Sequence, residues 1–398
     1  MRRLSIIWLL AASLTVACAE TPTDAGPPVT TPSPSLVWPQ KGIAHWRSFL
    51  EWDDETVRDA AEAGLIIFPM DFCLSPDAPP VLDRLRQINP AVRIIGYQMV
   101  LAVPELYADT LYLERVLPYA LDYYRLVEDH WAFTTTGDTL SIWPGTIFLN
   151  PIPGGVPDAG LLDGIVDLLW EHVQAHPGQV DGIMHDYFMY QPYINPSLES
   201  VEGEIDLDGN GILVGQDAAE RAMFLQWQKD YAAAMRNRFG PDFIQIAHGR
   251  VPQEDAELAA TLNGIFYEMF PNMCWGISDR EGLRTLLRNL EPGWLTETQG
   301  RTWSIVTNAA VEYNNFFCAL TSLLSGCFYA DLRDWSVFDG WSIDLHPGVP
   351  VSDLIIEGKP DSFMTFRREF TRGEARMTFM NNGGRIYWQF DESDTLVR

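Results

Sequence analysis

From residue 41 onward, short runs rich in Ile, Val, Phe and Tyr alternate with stretches whose apolar residues recur at helical spacing. This alternation predicts repeated βα units around a parallel sheet. The apolar runs fall at 42–46, 65–70, 93–100, 182–187, 243–248, 264–270, 302–307 and 327–331. Eight strands is the number that closes a (β/α)8, or TIM, barrel, so an α/β barrel is the expected fold. Between them, Asp53 or Asp54 is placed to cap a helix ending at Gly64, and Ser278 with Glu281 forms a capping box before Leu283, Leu286, Leu287 and Leu290. Phe224, Trp227, Tyr231 and Met235 recur at helical spacing and are expected in the core. Residues 130–160 and 187–217 read as long irregular insertions, which in a barrel belong to the loops that build the active site. Beyond Asp331 the pattern changes to alternating, Gly-punctuated strands at 363–370, 375–381 and 385–390, predicting a small antiparallel β appendage packed on the barrel.

The ends of the chain set its compartment. Arg2 and Arg3 precede an apolar run at 6–17, too short to span a bilayer and of the length of an export signal. The run closes on Leu14-Thr15-Val16-Ala17-Cys18, which resembles a bacterial lipoprotein cleavage box and makes Cys18 the expected lipidated residue. The other reading is ordinary secretion, with cleavage after a small residue. Residues 21–39 are rich in Pro, Thr and Ser and suit a flexible tether. The expected organisation is a signal peptide at 1–17, a tether at 18–40, a barrel at 41–335 and the appendage at 336–398. Localisation is the cell envelope or the exterior, with the membrane touched only through the lipid anchor.

Charge narrows the partners. With 27 Lys plus Arg against 54 Asp plus Glu, the net charge is −27, which repels phosphate backbones and argues against nucleic acid. Four further cysteines, Cys73, Cys274, Cys318 and Cys327, match no zinc spacing and sit beside apolar residues, so pairing and buried free thiols both stay open. Fourteen Trp, 14 Tyr and 20 Phe in an acidic exported chain fit a sugar-handling surface.

Two segments are alike: Asp181-Gly182-Ile183-Met184-His185-Asp186 and Asn263-Gly264-Ile265-Phe266-Tyr267-Glu268. Each runs from a polar-Gly pair through an apolar strand to a carboxylate. Asp186 and Glu268 therefore fall at C-terminal strand ends, the edge where barrel enzymes carry their chemistry, and two facing carboxylates are the minimum for cleaving a glycosidic bond. One must be held protonated to donate to the leaving oxygen while the other stays ionised. The structural alternative is that they hold loops or accept hydrogen bonds from Trp or Tyr.

These two strands and the tail at 370–381 resemble uncharacterised bacterial glycoside-hydrolase-like barrel families, distantly similar to endo-α-1,4-polygalactosaminidase barrels, over residues 42–387. In such proteins the acids matching Asp186 and Glu268 are the proposed catalytic pair. By analogy with barrel glycosidases, Asp186 on the fourth strand is assigned as nucleophile or base and Glu268 on the sixth as acid. A separation of about 5–5.5 Å would mean retention and roughly 6.5–9.5 Å inversion. His248, in Ile246-Ala247-His248-Gly249, stands where the families have Asn, and Asp344-Leu345-His346-Pro347-Gly348 only loosely matches a Leu-Gly-x-Pro element. Those departures bear on substrate identity more than on fold.

Around the pair, His185 and His248 are either substrate hydrogen-bonders or satisfied structural groups, and Asp71 and Asp331 either bind sugar hydroxyls or cap helices. Of Trp143, Trp294, Trp303, Trp335 and Trp341, one or two are expected to line the cleft, with Tyr187 and Tyr190 the aromatics nearest substrate. A second motif, Asp206-Leu207-Asp208-Gly209-Asn210-Gly211 with Asp217 at the twelfth place, has the ligand spacing of a calcium loop, Ile212 giving its carbonyl. A structural Ca²⁺ held by Asp206, Asp208, Asn210, Ile212 and Asp217 is expected; the alternative is an acidic surface turn. The sequence thus predicts a monomeric, calcium-stabilised glycoside hydrolase acting on a polysaccharide or surface glycan. Its rivals are a non-catalytic carbohydrate-binding lipoprotein on the same barrel and a structural protein that docks a partner through the calcium loop.

Overall fold

The computed structural model describes residues 40–44, 52–105, 118–142, 145–192, 204–267, 289, 303–308, 328–331, 351–352, 355–359, 363–371, 373–382 and 385–389. The strands are β1 Gln40–Ala44, β2 Leu65–Pro69, β3 Arg93–Met99, β4 Ala102–Pro104, β5 Thr146–Phe148, β6 Gly182–Asp186, β7 Ile244–His248, β8 Gly264–Tyr267, β9 Trp303–Asn308, β10 Phe328–Asp331, β11 Ile355–Lys359, β12 Phe363–Phe370, β13 Gly373–Asn382 and β14 Arg385–Gln389. Eight of them form a closed parallel ring in the order β1-β10-β9-β8-β7-β6-β3-β2, with β1 pairing on both sides. All eight coincide with the apolar runs read from the sequence.

Side-chain alternation divides the sheet into two packed faces. Leu65, Ile67, Ile95, Met184, Ile244, Ile246 and Phe266 form one buried cluster inside the ring, with Tyr97 packed on it. The intervening Ile66, Phe68, Ile94, Ile183 and Ala247 belong to a second cluster that includes the buried helix faces. Burial on both faces explains why these strands read as continuous apolar runs. The helix Ala218–Phe239 supplies Phe224, Trp227, Tyr231 and Met235 to the outer cluster, as their spacing predicts.

The polar-Gly pairs at the two similar strands have a structural role. Asp181 Oδ2 accepts the Ile94 N–H at 2.8 Å and pairs with Arg86 at 2.9 Å. Asn263 Oδ1 accepts the Gln245 N–H at 2.8 Å and also takes Arg236 Nη2. Each side chain therefore splints its strand to the preceding one at the N-terminal end of the ring. Gly182 follows because a Cβ there would lie 2.2 Å from the Ile244 carbonyl oxygen.

Several expectations change. Asp53 caps its helix, its Oδ1 accepting the Thr56 N–H at 2.8 Å, but the helix ends at Ala60 rather than Gly64. The insertion 130–160 is only partly irregular: β5 pairs antiparallel with β4, and the helix Ala159–Ala175 starts on the Asp158 cap. Three-residue strands are too short to show a period. The four-stranded antiparallel sheet runs β11-β12-β13-β14, and β11 went unread in the sequence. Cys73 is a buried free thiol. Cys18, Cys274, Cys318 and Cys327, the export and tether segments, and the Ser278–Glu281 box lie outside the described residues. No helix among the described residues is long and apolar enough to cross a membrane.

Gly182→Ala should cost roughly 1–3 kcal/mol in urea unfolding, because the opposing atom is backbone that cannot yield. Gly215→Ala, where a Cβ meets nothing within 4 Å, should stay within about 0.5 kcal/mol of the parent.

Candidate active site

Asp186 is the last residue of β6, the fourth strand of the ring in chain order, and shares the inward face with Met184 two residues before it. Its side chain is 8% exposed. Three donors converge on its carboxylate. Oδ1 accepts His248 Nδ1 at 2.7 Å and the Tyr187 N–H at 2.6 Å, and Oδ2 accepts the Tyr97 hydroxyl at 2.5 Å. Tyr97 and His248 reach it because they occupy inward positions on the neighbouring strands β3 and β7. Burial pushes the Asp186 carboxyl up, but the charge and hydrogen bond of His248, the Tyr97 hydroxyl and the Tyr187 N–H together outweigh it and hold the pKa below the ordinary value. A buried carboxylate is thus kept ionised at the C-terminal mouth of the ring.

The chain leaving Asp186 is fixed on both sides. Tyr187 has φ +72°, a conformation that non-glycine residues rarely adopt. Phe188 donates to the His248 carbonyl at 2.9 Å, and its own carbonyl accepts the Val251 N–H at 3.0 Å. Gly249, at φ +129°, permits this approach, since a Cβ there would lie 2.3 Å from the Phe188 oxygen. Gln228 on the helix Ala218–Phe239 brackets Met189, accepting its N–H at 2.9 Å and donating to its carbonyl at 2.8 Å.

Of the expected substrate contacts, His185 takes the structural of its two readings, Tyr187 is corrected, and Trp303 lies at the start of its strand. His185 is the neighbour of an inward residue and therefore faces outward. It is wholly buried, with Nε2 3.2 Å from Gln245 Oε1 and Nδ1 3.3 Å from the Tyr231 hydroxyl. Tyr187 is also buried, its ring edge-on to Phe148 at 5.4 Å, because the left-handed backbone turns it into the core. Trp303 opens β9 in register with Gly264, at the N-terminal end of the strand and five residues before Asn308.

Other expected residues fall as follows. His248 faces inward and bonds Asp186. Tyr190 is half-buried, and burial together with the Glu254 carboxylate raises its hydroxyl to about 12. Asp71 lies in the short helix Met70–Cys73 after β2 and accepts the Phe72 N–H at 2.7 Å. Asp331 ends β10, paired with Asn308 and Ile43, so its backbone reaches the same rim. Glu268, Trp143, Trp294, Trp335 and Trp341 lie outside the described residues. Tyr97 was not foreseen, although its place two residues after inward Ile95 was a signal.

The acidic loop is also rearranged. The carboxylate oxygens of Asp206, Asp208 and Glu220 lie within 4.8 Å of one another. Asp217 is instead the helix cap, Oδ1 accepting the Ala219 and Glu220 N–H groups at 2.8 and 3.0 Å and Oδ2 accepting Asn210 Nδ2 at 2.7 Å. Asn210 turns its amide nitrogen to Asp208 and Asp217 and its oxygen to the Ile212 N–H. Ile212 is exposed. Burial raises Glu220 to about 7, the Leu207 N–H opposing it and the charges of Asp208 and Asp206 adding to it.

No family model and no curated protein matches the chain. Solved structures similar to it include a cyclic α-maltosyl-(1→6)-maltose hydrolase from Arthrobacter globiformis, at 10% identity and TM-score 0.39 over 83% of this chain and 80% of that one. A Family GH13_31 enzyme matches at 8% identity and TM-score 0.44, covering 86% and 92%. TcOYE with pHBA matches at 12% identity and TM-score 0.36, covering 72% and 82%. Likenesses of this degree leave the architecture to rest on the strand pairing itself.

Burial drives His185 down to about 3, only partly opposed by its Gln245 hydrogen bond. The unfolded chain, with an imidazole near about 6.5, then holds one proton more than the folded chain between those values, so His185 makes stability fall as pH drops through that window. In urea unfolding at pH 4, 5 and 6, His185→Gln should flatten the pH slope by about 1.4 kcal/mol per unit. An unchanged slope would refute a neutral, outward His185.

Proposed function

We propose that this protein is a glycoside hydrolase acting on a polysaccharide or surface glycan, with Asp186 as the ionised carboxylate and Glu268 as the acid. The observation that carries the reading is the Asp186 site: a buried, inward carboxylate at the C-terminal end of a barrel strand, held charged by Tyr97, His248 and the Tyr187 N–H. Keeping a carboxylate ionised inside an apolar ring costs free energy that a purely structural acceptor does not require. An ionised carboxylate is what attack on an anomeric carbon, or activation of water, needs. The sequence likeness of Asp181–Asp186 and Asn263–Glu268, each a polar-Gly pair and an apolar run closing on a carboxylate, supports Glu268 as the partner acid.

In this reading Tyr97 and His248 are positioning residues. They orient Asp186 and set its charge, and Tyr97, which is only half-buried, is near enough to the mouth to meet a sugar hydroxyl. Asp71, Asp331 and Tyr190 are the proposed substrate contacts. The GH13-type neighbours and the resemblance to polygalactosaminidase-like barrels agree with a glycan substrate without selecting one. The reading includes export with a lipid on Cys18, a monomer and the antiparallel sheet packed on the barrel.

Reducing-end release should be measured across plant, fungal and bacterial polysaccharides. Asp186→Asn and Glu268→Gln should each lose at least about 10³-fold in rate on the substrate that the parent cleaves. Tyr97→Phe should retain activity with an altered acidic limb of the pH profile, because one of the bonds that lowers the Asp186 pKa is gone. Glycan binding without cleavage, unchanged in both carboxylate variants, would instead establish the non-catalytic carbohydrate-binding alternative.

A further inference from the structure

We propose that Asp206, Asp208 and Glu220 hold a calcium ion, with Glu220 and not Asp217 as the buried carboxylate that ties the acidic loop to the helix Ala218–Phe239. The loop motif alone does not decide this, since acidic turns are common. Glu220 adds a separate observation. It is wholly buried, Oε1 accepts the Leu207 N–H at 2.6 Å, and Oε2 has no hydrogen-bond partner. An acceptor oxygen buried without a donor is costly, and here it lies among two further carboxylates. A cation relieves both the unmet acceptor and the mutual repulsion.

The remaining donors leave room for one. Asp206 accepts the Gly209 and Gly211 N–H groups at 2.9 and 2.8 Å, and Asp208 accepts the Asn210 N–H and Nδ2, each at 3.0 Å. These bonds fix the loop's curvature and leave lone pairs on each carboxylate, which has about four acceptor sites. Arg221, next to Glu220 in sequence, directs Nη1 to the Val214 carbonyl at 2.7 Å. Asp217, the cap of the helix, is set apart by position: the carboxylate oxygens that lie within 4.8 Å of one another are those of Asp206, Asp208 and Glu220. A set of carboxylate oxygens, with backbone carbonyls or water to complete the shell, selects a hard cation, and an irregular arrangement of such donors suits Ca²⁺ better than the near-ideal octahedron that Mg²⁺ demands.

The site would brace the insertion that follows β6. Leu207, between the two loop aspartates, also offers its carbonyl to Asn150 Nδ2 at 2.8 Å. Glu220 lies on the same helix as Gln228, which clamps Met189 three residues after Asp186. An ion at Glu220 thus joins the loop, the preceding insertion and the helix that supports the Asp186 segment.

The test is calorimetric titration of CaCl2 into the full chain after chelator treatment, with thermal unfolding in parallel. The parent should bind one Ca²⁺ and gain melting temperature. Glu220→Gln, which keeps the shape and an acceptor for the Leu207 N–H, and Asp208→Asn should each weaken binding at least about 10-fold. Asp217→Asn, which keeps an Oδ1 cap but loses the acceptor of Asn210 Nδ2 and the charge at the helix N-terminus, should lower melting temperature slightly while leaving calcium affinity near the parent's. Circular dichroism would establish that the variants fold; should Glu220→Gln not fold, Asp208→Asn on the loop and Asp217→Asn decide the matter. No calcium binding by the parent up to about 10 mM, beyond the weakest extracellular modules, overturns the proposal. So does parent-like affinity in folded Glu220→Gln, loss of binding in Asp217→Asn as complete as in Asp208→Asn, or equal affinity for Mg²⁺.

Discussion

In a closed ring of parallel strands each side chain faces either the interior or the surrounding helices, and one register decides the choice for every position. The rest of this structure depends on that constraint. It places Leu65, Ile95, Met184, Ile246 and Phe266 in the interior and leaves Ile66, Ile94, Ile183 and Ala247 for the helices. It also puts the last inward residue of β6 at the mouth, where the apolar filling ends. The splints at Asp181 and Asn263 hold the same register from the opposite end, so strand pairing and the position of Asp186 are consequences of one alignment.

Burial by itself would neutralise Asp186. What keeps it charged is a set of donors drawn from three places: a tyrosine on β3, a histidine on β7 and the backbone immediately after β6. Each bond is short, and hydrogen bonds to an ionised acceptor are about twice as strong as neutral ones. The Tyr187 N–H is available only because the chain turns left-handed at that residue. The strain there, of order 1–3 kcal/mol for such conformations, is offset by the charged bond that the turn makes possible. Glu220 shows the opposite balance: burial, with the like charges of Asp208 and Asp206, outweighs the Leu207 and Asp208 N–H groups and raises its pKa.

The ring was legible because strands buried on both faces, as β2, β3, β6, β7 and β8 are, read as apolar runs, and the helix core positions followed from spacing alone. The site was legible in part. Asp186 and His248 stand at strand ends on the inward parity, which a careful count gives. Both readings of His185 stood open although adjacency to Asp186 excludes a shared face, and the burial of Tyr187 is not legible because no spacing announces a left-handed turn. Trp303 could be placed only once the start of β9 was known from its pairing with Gly264. In the acidic loop the twelfth-place rule pointed to Asp217, whereas the Asp217-x-x-Glu220 spacing is also that of a helix cap with an acid at its third position. The fold uses the first acid as the cap and turns the second toward the loop.

The double fastening of Phe188 and Met189 has a consequence for how a substrate would be received. The segment beside Asp186 is tied to β7 on one side and to a buried glutamine on the other, so it meets a ligand as a finished wall. Charge developing near the carboxylate would find its surroundings already oriented, with little reorganisation left to perform. Recognition along this wall is then a matter of matching a fixed relief, and selectivity for one glycan over another has to be written into the other edges of the rim.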